Sequence, residues 1–216
     1  MKKEVIRSTF MKIYNEAKTE EFLSKYLRVN NSKLTKNIKE VQEFAKKYKY
    51  PIVIKIVSDQ ALHKSAINGV RIINNEQELN INYNDLLKIS KVKKLKLEGI
   101  LVQSYISGKE VIIGSKKDQV FGQIILFGKG GIYTETSKDF SLRILPVDEK
   151  DVNDMIQETN IYNEIKQEKS FKQMINTILK VNEILQKNPN ILELDINPLI
   201  LSDKGAFVVD ARMTME

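Results

Sequence analysis

A chain of 216 residues, 42% hydrophobic and 29% charged, has enough material for a buried core and reads as one large domain or two lobes. The absence of cysteine excludes a disulfide scaffold and thiol chemistry, no apolar run reaches the roughly 20 residues of a membrane span, and the opening MKKEVIRSTFMK lacks the apolar stretch of a signal peptide, so a cytoplasmic protein without membrane attachment is expected. The net charge of +7 invites nucleic acid, but the lysines alternate with glutamate and asparagine, as in KKLKLEG and NEIKQEKS, and no aromatic platform accompanies them; a basic nucleic-acid-binding module therefore stands as an alternative only.

In chain order, NEAKTEEFLSKYL and NIKEVQEFAKKYKY place apolar residues at spacings of three and four and predict helices. Pro51 ends the second, and IVIKIV follows as a β-branched strand. Residues 74–84 form a polar, asparagine-rich stretch. Between Gly99 and Gly131 there are seven glycines, against none before Asn68, which marks turns and close backbone approaches. Here GILVQSYI, KEVIIGSKK and QVFGQIILFG predict an antiparallel meander of three strands. DEKDVNDMIQE and SFKQMINTILKVNEIL then read as helices, with Phe171, Met174, Ile175, Ile178 and Leu179 on one face destined for the core. ILELDINPLIL and AFVVDA close the chain as two strands. The expected fold class is α+β, with an N-terminal lobe over residues 1–98, a C-terminal lobe over residues 99–216 and a ligand cleft between them.

The closing strands carry the sharpest chemical signal. In ILELDINPLIL, Glu193, Asp195 and Asn197 alternate with Leu192, Leu194 and Ile196, so the polar groups share one face. A two-residue turn at Asp203-Lys204 sets Asn197 opposite Asp210, with Cβ atoms roughly 4.5–5.5 Å apart. Oxygen ligands converging from two strands suit Mg²⁺, and an unpaired Asp210 inside AFVVDA would be costly to bury. A solvated polar face of an edge hairpin is the competing reading.

Lys55 interrupts IVIKIV, so it lies either at an exposed strand edge or against an anion such as phosphate. FGKGGIY groups Gly128, Gly130 and Gly131 after a strand. It resembles a backbone N–H cradle without Walker A or dinucleotide spacing, and a tight hairpin turn explains it equally well. The only histidine, His63, lies in ALHKS shortly after the lysine strand.

Taken in order, YPIVIKIVS, LHKS, LVQSYI, GKEVIIGSKKD, FGQIILFGKGGIYTE, KDFSLRILP, ELDINPLI and VVDAR resemble the ATP-grasp β subunit of the ADP-forming acetyl-CoA synthetases, from about residue 40 to the end. The resemblance implies an ATP-grasp fold clasping ATP or ADP with Mg²⁺ between two lobes. It implies that Lys55 contacts nucleotide phosphates, that the backbone around Gln103, Ser104 and Tyr105 receives the adenine, and that Glu110 holds the ribose or orients the nucleotide. Asn197 and Asp210 would ligate Mg²⁺, and Asp195 would face the phosphoryl-transfer centre. Gly130, Gly131, Glu135 and Arg143 would belong to the wall of the site.

The resemblance also implies an α subunit that binds CoA and acyl substrate in an α₂β₂ assembly. A histidine of that subunit carries the phosphoryl group, and His63 matches the position of a second carrier. A neutral imidazole near pH 7 offers one nucleophilic nitrogen, which fits that role. Ser104 stands where many relatives carry glutamate, Asn68-Gly69 replaces a Gly-Gly pair, and LRVNNSKL replaces a glycine- and proline-containing turn. These departures leave room for a regulatory or degenerate nucleotide-binding subunit. A stand-alone ATP-grasp ligase is disfavoured because no CoA or acyl module is visible.

Overall fold

The computed structural model describes residues 11–59, 67–131 and 138–216. The β-branched run Ile52–Val57 forms strand β3, and Ile52, Ile54, Ile56 and Val57 are fully buried. It is an interior strand of a four-stranded antiparallel sheet ordered β2 (Ser32–Thr35), β5 (Gly99–Ser104), β3 and β4 (Val70–Ile73). Helices α2 (Ile38–Tyr48) and α3 (Glu76–Val92) supply Val41, Phe44, Leu79, Tyr83 and Leu86 to the core that this sheet forms with Ile54, Ile56, Ile100 and Val102.

Helix α3 runs through the asparagine-rich stretch, where composition alone suggests only polar chain. Asn75 caps it by accepting a hydrogen bond from the Glu78 N–H, and Leu79, Tyr83 and Leu86 recur on one face. Asparagines at the remaining positions face outward and hide that stripe from a reading by composition.

The second sheet has seven strands, ordered β1 (Lys12–Tyr14), β11 (Ala211–Met215), β9 (Ile191–Ser202), β6 (Lys109–Asp118), β7 (Gly122–Lys129) and β8 (Phe140–Ile144), with β10 (Gly205–Val208) also on β9. Its core takes Leu23 from α1 (Glu16–Leu23), Val152, Met155 and Ile156 from α4 (Glu149–Gln157), Ile165 from α5 (Tyr162–Ile165), and Met174, Ile178, Val181 and Leu185 from α6 (Phe171–Lys187). Phe171 and Leu179, expected in the core stripe of α6, are partly buried against it.

Two expectations differ from the structure. The three-strand meander is β6, β7 and β8; β5 pairs instead between β2 and β3, because Ile100 and Val102 complete the smaller core. The lobes therefore do not divide at residue 98. Strand β1 pairs with β11 and Leu23 enters the larger core, so the first described residues belong to the large lobe, residues 32–104 to the small one, and the rest to the large one. The chain returns to the large lobe through residues 105–108. Among the described residues, no helix is long and apolar enough to cross a membrane.

Candidate functional site

The closing hairpin turns through Asp203 and Lys204, with Gly205 paired to Ser202 and Val208 to Leu199. The same register resumes at Ala211 and Ile196, so Asn197 and Asp210 stand opposite each other, and the Asn197 N–H donates to the Asp210 carbonyl at 3.0 Å. Strand β9 lies inside the sheet between β11 and β6, not at an edge. Glu193 and Asp195 lie on the face of β9 opposite the buried Leu194 and Ile196. With Ile112, Gly114, Lys116, Ile124, Leu126 and Leu142 they line an open groove on that face of the large sheet. Desolvation by the surrounding sheet, then the Asp210 carboxylate, push the Asp195 pKa up to about 6 against the pull of Arg212.

Across the seam stands Lys55, on β3 of the small lobe. Its side chain is buried, and its ammonium donates to Glu16 Oε1 at 2.7 Å and to the Val209 carbonyl at 2.7 Å, with Asp210 Oδ2 at 4.0 Å. This overturns the exposed-edge reading of Lys55: the ammonium is buried and bonded across the lobe interface, directly beside the hairpin. Burial alone would lower its pKa, but Glu16 and then Asp210 outweigh burial and hold the ammonium charged.

Glu16 and Glu20 are the site residues that sequence reasoning missed. Both lie on the buried face of α1, which starts at the cap Asn15, and they continue the helix stripe of Thr19 and Leu23. Glu20 accepts from Gln103 Nε2 at 2.7 Å and from Ser32 Oγ at 3.0 Å. Burial and the neighbouring Glu16 carboxylate push its pKa up to about 8, against the pull of Lys55. The available signal was two acids spaced four apart where the helical period calls for apolar side chains.

At the hinge, the Gln103 side chain is buried against Glu20. Backbone groups of the next two residues are bonded within the protein. The Ser104 N–H donates to the Asn31 carbonyl at 3.2 Å, the Ser104 carbonyl accepts from Asn30 Nδ2 at 2.7 Å, and the Tyr105 N–H donates to the Pro51 carbonyl at 3.3 Å. The Ser104 hydroxyl oxygen is buried without a hydrogen-bond partner among the described residues.

The glycine pair closes over the start of β6. A Cβ at Gly130 would meet the Val111 backbone at 2.6 Å; Gly131 has φ +85°, a side chain there would strike the Glu110 carboxylate, and its N–H donates to Asn197 Oδ1 at 2.9 Å. Gly131, Glu110 and Asn197 thus gather at one end of the hairpin. Arg143 does not join them. It pairs with Glu158 at 2.6 Å on the face of β8 shared with the buried Ile125, because strand alternation turns it toward the helices and away from the groove lined by Leu142. His63 and Glu135 lie outside the described residues.

The Asn197 and Asp210 pair offers oxygen donors of the class that Mg²⁺ takes. Among the described residues no three of His, Cys, Asp and Glu gather as a metal cage, but Mg²⁺ keeps several waters and needs only one or two protein ligands beside phosphate oxygens. An amide oxygen has two lone pairs, so accepting the Gly131 N–H does not exclude a metal bond at Asn197.

Residues 6–215 match the family model of the ATP-grasp domain. The chain is 34% identical to the β subunit of acetate–CoA ligase [ADP-forming] I of Pyrococcus furiosus over 93% of this chain and 90% of that protein. It is 33% identical to acetate–CoA ligase [ADP-forming] I of Archaeoglobus fulgidus over 84% of this chain, and spans only 28% of that relative's length. Among solved structures, an acetyl-coenzyme A synthetase of Ca. Korarchaeum cryptofilum in complex with coenzyme A and Ca-AMPCP superposes with a TM-score of 0.87 at 33% identity, covering 95% of this chain and 94% of that one.

Proposed function

The chain belongs to the ATP-grasp domain family, and from that premise we propose that it is the nucleotide-binding β subunit of an ADP-forming acyl-CoA synthetase. The complete reaction would convert acyl-CoA, ADP and inorganic phosphate reversibly to free acid, CoA and ATP. A separate α subunit, in an α₂β₂ cytoplasmic assembly, would form the acyl phosphate and take the phosphoryl group onto its own histidine. This chain would pass that group to ADP: the P–N bond to imidazole breaks, a P–O bond to the terminal ADP oxygen forms, and the imidazole nitrogen regains its electron pair.

One observation carries the reading: Lys55 from the small lobe and the Asn197–Asp210 pair from the large lobe meet in one seam, with Lys55 Nζ 4.0 Å from Asp210. Phosphoryl transfer asks a protein chiefly for positioning and charge neutralisation. Asn197 and Asp210 would hold Mg²⁺, which supplies part of that neutralisation when bound, and Lys55 would supply the rest. Asp195 would face the transferring group, Glu110 and Gly130-Gly131 would wall the nucleotide, and the Gln103–Tyr105 backbone would flank the adenine. His63 would act as a second phosphoryl carrier.

A second reading, a regulatory nucleotide-binding subunit, draws on the hinge, where Ser104 and Tyr105 already bond to Asn30, Asn31 and Pro51. Incubation with Mg²⁺ and γ-labelled ATP separates the two. We expect an acid-labile, base-stable phosphate on the chain that disappears in His63→Ala. Label surviving that substitution would end the carrier role of His63. No label even with a cognate α subunit would favour regulation.

A further inference from the structure

We propose that Glu16 is a positioning residue for Lys55, aiming its ammonium at the hairpin while keeping Asp210 from capturing it. The proposal rests on the reading of Lys55 as a phosphate contact. An ammonium has three N–H donors on a flexible stem. Two of those of Lys55 are committed at 2.7 Å, to Glu16 Oε1 and to the Val209 carbonyl. One donor remains, and Asp210 Oδ2 lies 4.0 Å from the ammonium, beyond hydrogen-bond length. A phosphate oxygen held beside Asp210 would take that donor.

The division of labour follows from which lobe holds each group. Glu16 is a fully buried carboxylate on α1, and Lys55 approaches it from the opposite lobe. Without Glu16 the ammonium would turn to Asp210, 4.0 Å away, and a short Lys55–Asp210 bond would occupy a carboxylate that the Mg²⁺ reading requires. Glu16 satisfies the cation first. The neighbouring Glu20 is bonded to Gln103 and Ser32.

Binding of Mg²⁺·ADP to the whole chain, measured by calorimetry, tests this with Glu16→Gln, Glu16→Asp, Lys55→Met and the double variant Glu16→Gln/Lys55→Met. We expect Glu16→Gln to weaken binding about 10-fold and to raise the Mg²⁺ concentration needed for half-maximal binding. Glu16→Asp, which keeps the charge and guards against a variant that fails to fold, should recover much of the loss. The double variant should bind no more weakly than Lys55→Met, because Glu16 acts only through the lysine. Additive losses, or wild-type binding by Glu16→Gln below its melting temperature, would overturn the proposal while leaving the phosphate role of Lys55 standing. Wild-type binding by Lys55→Met would overturn that role and the proposal together.

Discussion

Glu20 is a carboxyl kept protonated near neutral pH by its surroundings: burial, then Glu16, against the pull of Lys55. The same group titrates near 4.5 in the unfolded chain and near 8 in the folded one. Between those values the folded state holds a proton that the unfolded state has released, so this contribution is complete below about pH 4.5 and is lost as pH rises through 8. The loss amounts to about 1.4 kcal/mol per pH unit across that window. Urea melts from pH 5 to 9 should therefore show wild type losing stability relative to Glu20→Gln, by about 2–4 kcal/mol in all; a pH-independent difference would refute the assignment. Gly130 gives a second residue-scale test. The Val111 backbone lies 2.6 Å from where a new methyl group would sit, so Gly130→Ala should cost about 1–3 kcal/mol and lower Tm by several degrees in a calorimetric scan. At this scale the sequence was legible where chemistry and register coincided. Asp210 stood out because a carboxylate is expensive inside AFVVDA, and a two-residue turn fixes which residue it faces. Glu16 and Glu20 left only a faint trace, two acids at helical spacing on the stripe of Thr19 and Leu23, because a helix of this composition is ordinary and their partners Lys55, Gln103 and Ser32 come from the other lobe.

Among the elements, α6 and β3 declare themselves through long apolar patterns, and both occur where those patterns lie. Helix α3 does not, since its buried side chains are only Leu79, Tyr83, Leu86 and Ser90 along 17 residues. Its N-terminus depends on Asn75, whose side-chain oxygen accepts the Glu78 N–H at 2.9 Å while its amide donates to Glu78 Oε1 at 2.9 Å. Replacing Asn75 by Ala should cost about 1 kcal/mol, read as a Tm about 2–4 °C lower, with the fold unchanged by circular dichroism. An unchanged Tm would mean that packing of Leu79 and Tyr83 alone starts the helix. Strand β5 was recognisable as a strand but not as a member of the small sheet. An apolar run has no address until some core has room for it, and here Ile100 and Val102 fill the core built by α2 and α3.

For the whole molecule, the site is a property of the seam. Lys55 and Gln103 come from one sheet, while Glu16, Glu20, Asn197 and Asp210 come from segments packed on the other. A ligand gripping both sides should tie the lobes together and stabilise the fold by mass action. Saturating Mg²⁺·ADP, at about 100 times its Kd, should add about 2.7 kcal/mol and raise Tm by roughly 5–10 °C. Chelating the metal, or the Asp210→Asn substitution, should remove most of that increment in a thermal-shift measurement; an increment indifferent to both would place the metal elsewhere. The order of motifs along the chain was enough to indicate the ATP-grasp fold, the strand that carries Lys55 and the facing of Asn197 and Asp210. Those features depend on local pattern and on the geometry of one short turn. The burial of Lys55 between the lobes and the partnership of α1 with it arise from contacts between residues as far apart as 154 positions. Such contacts exist only once two cores have packed, because burial gives a charge its partner and local pattern cannot specify which one.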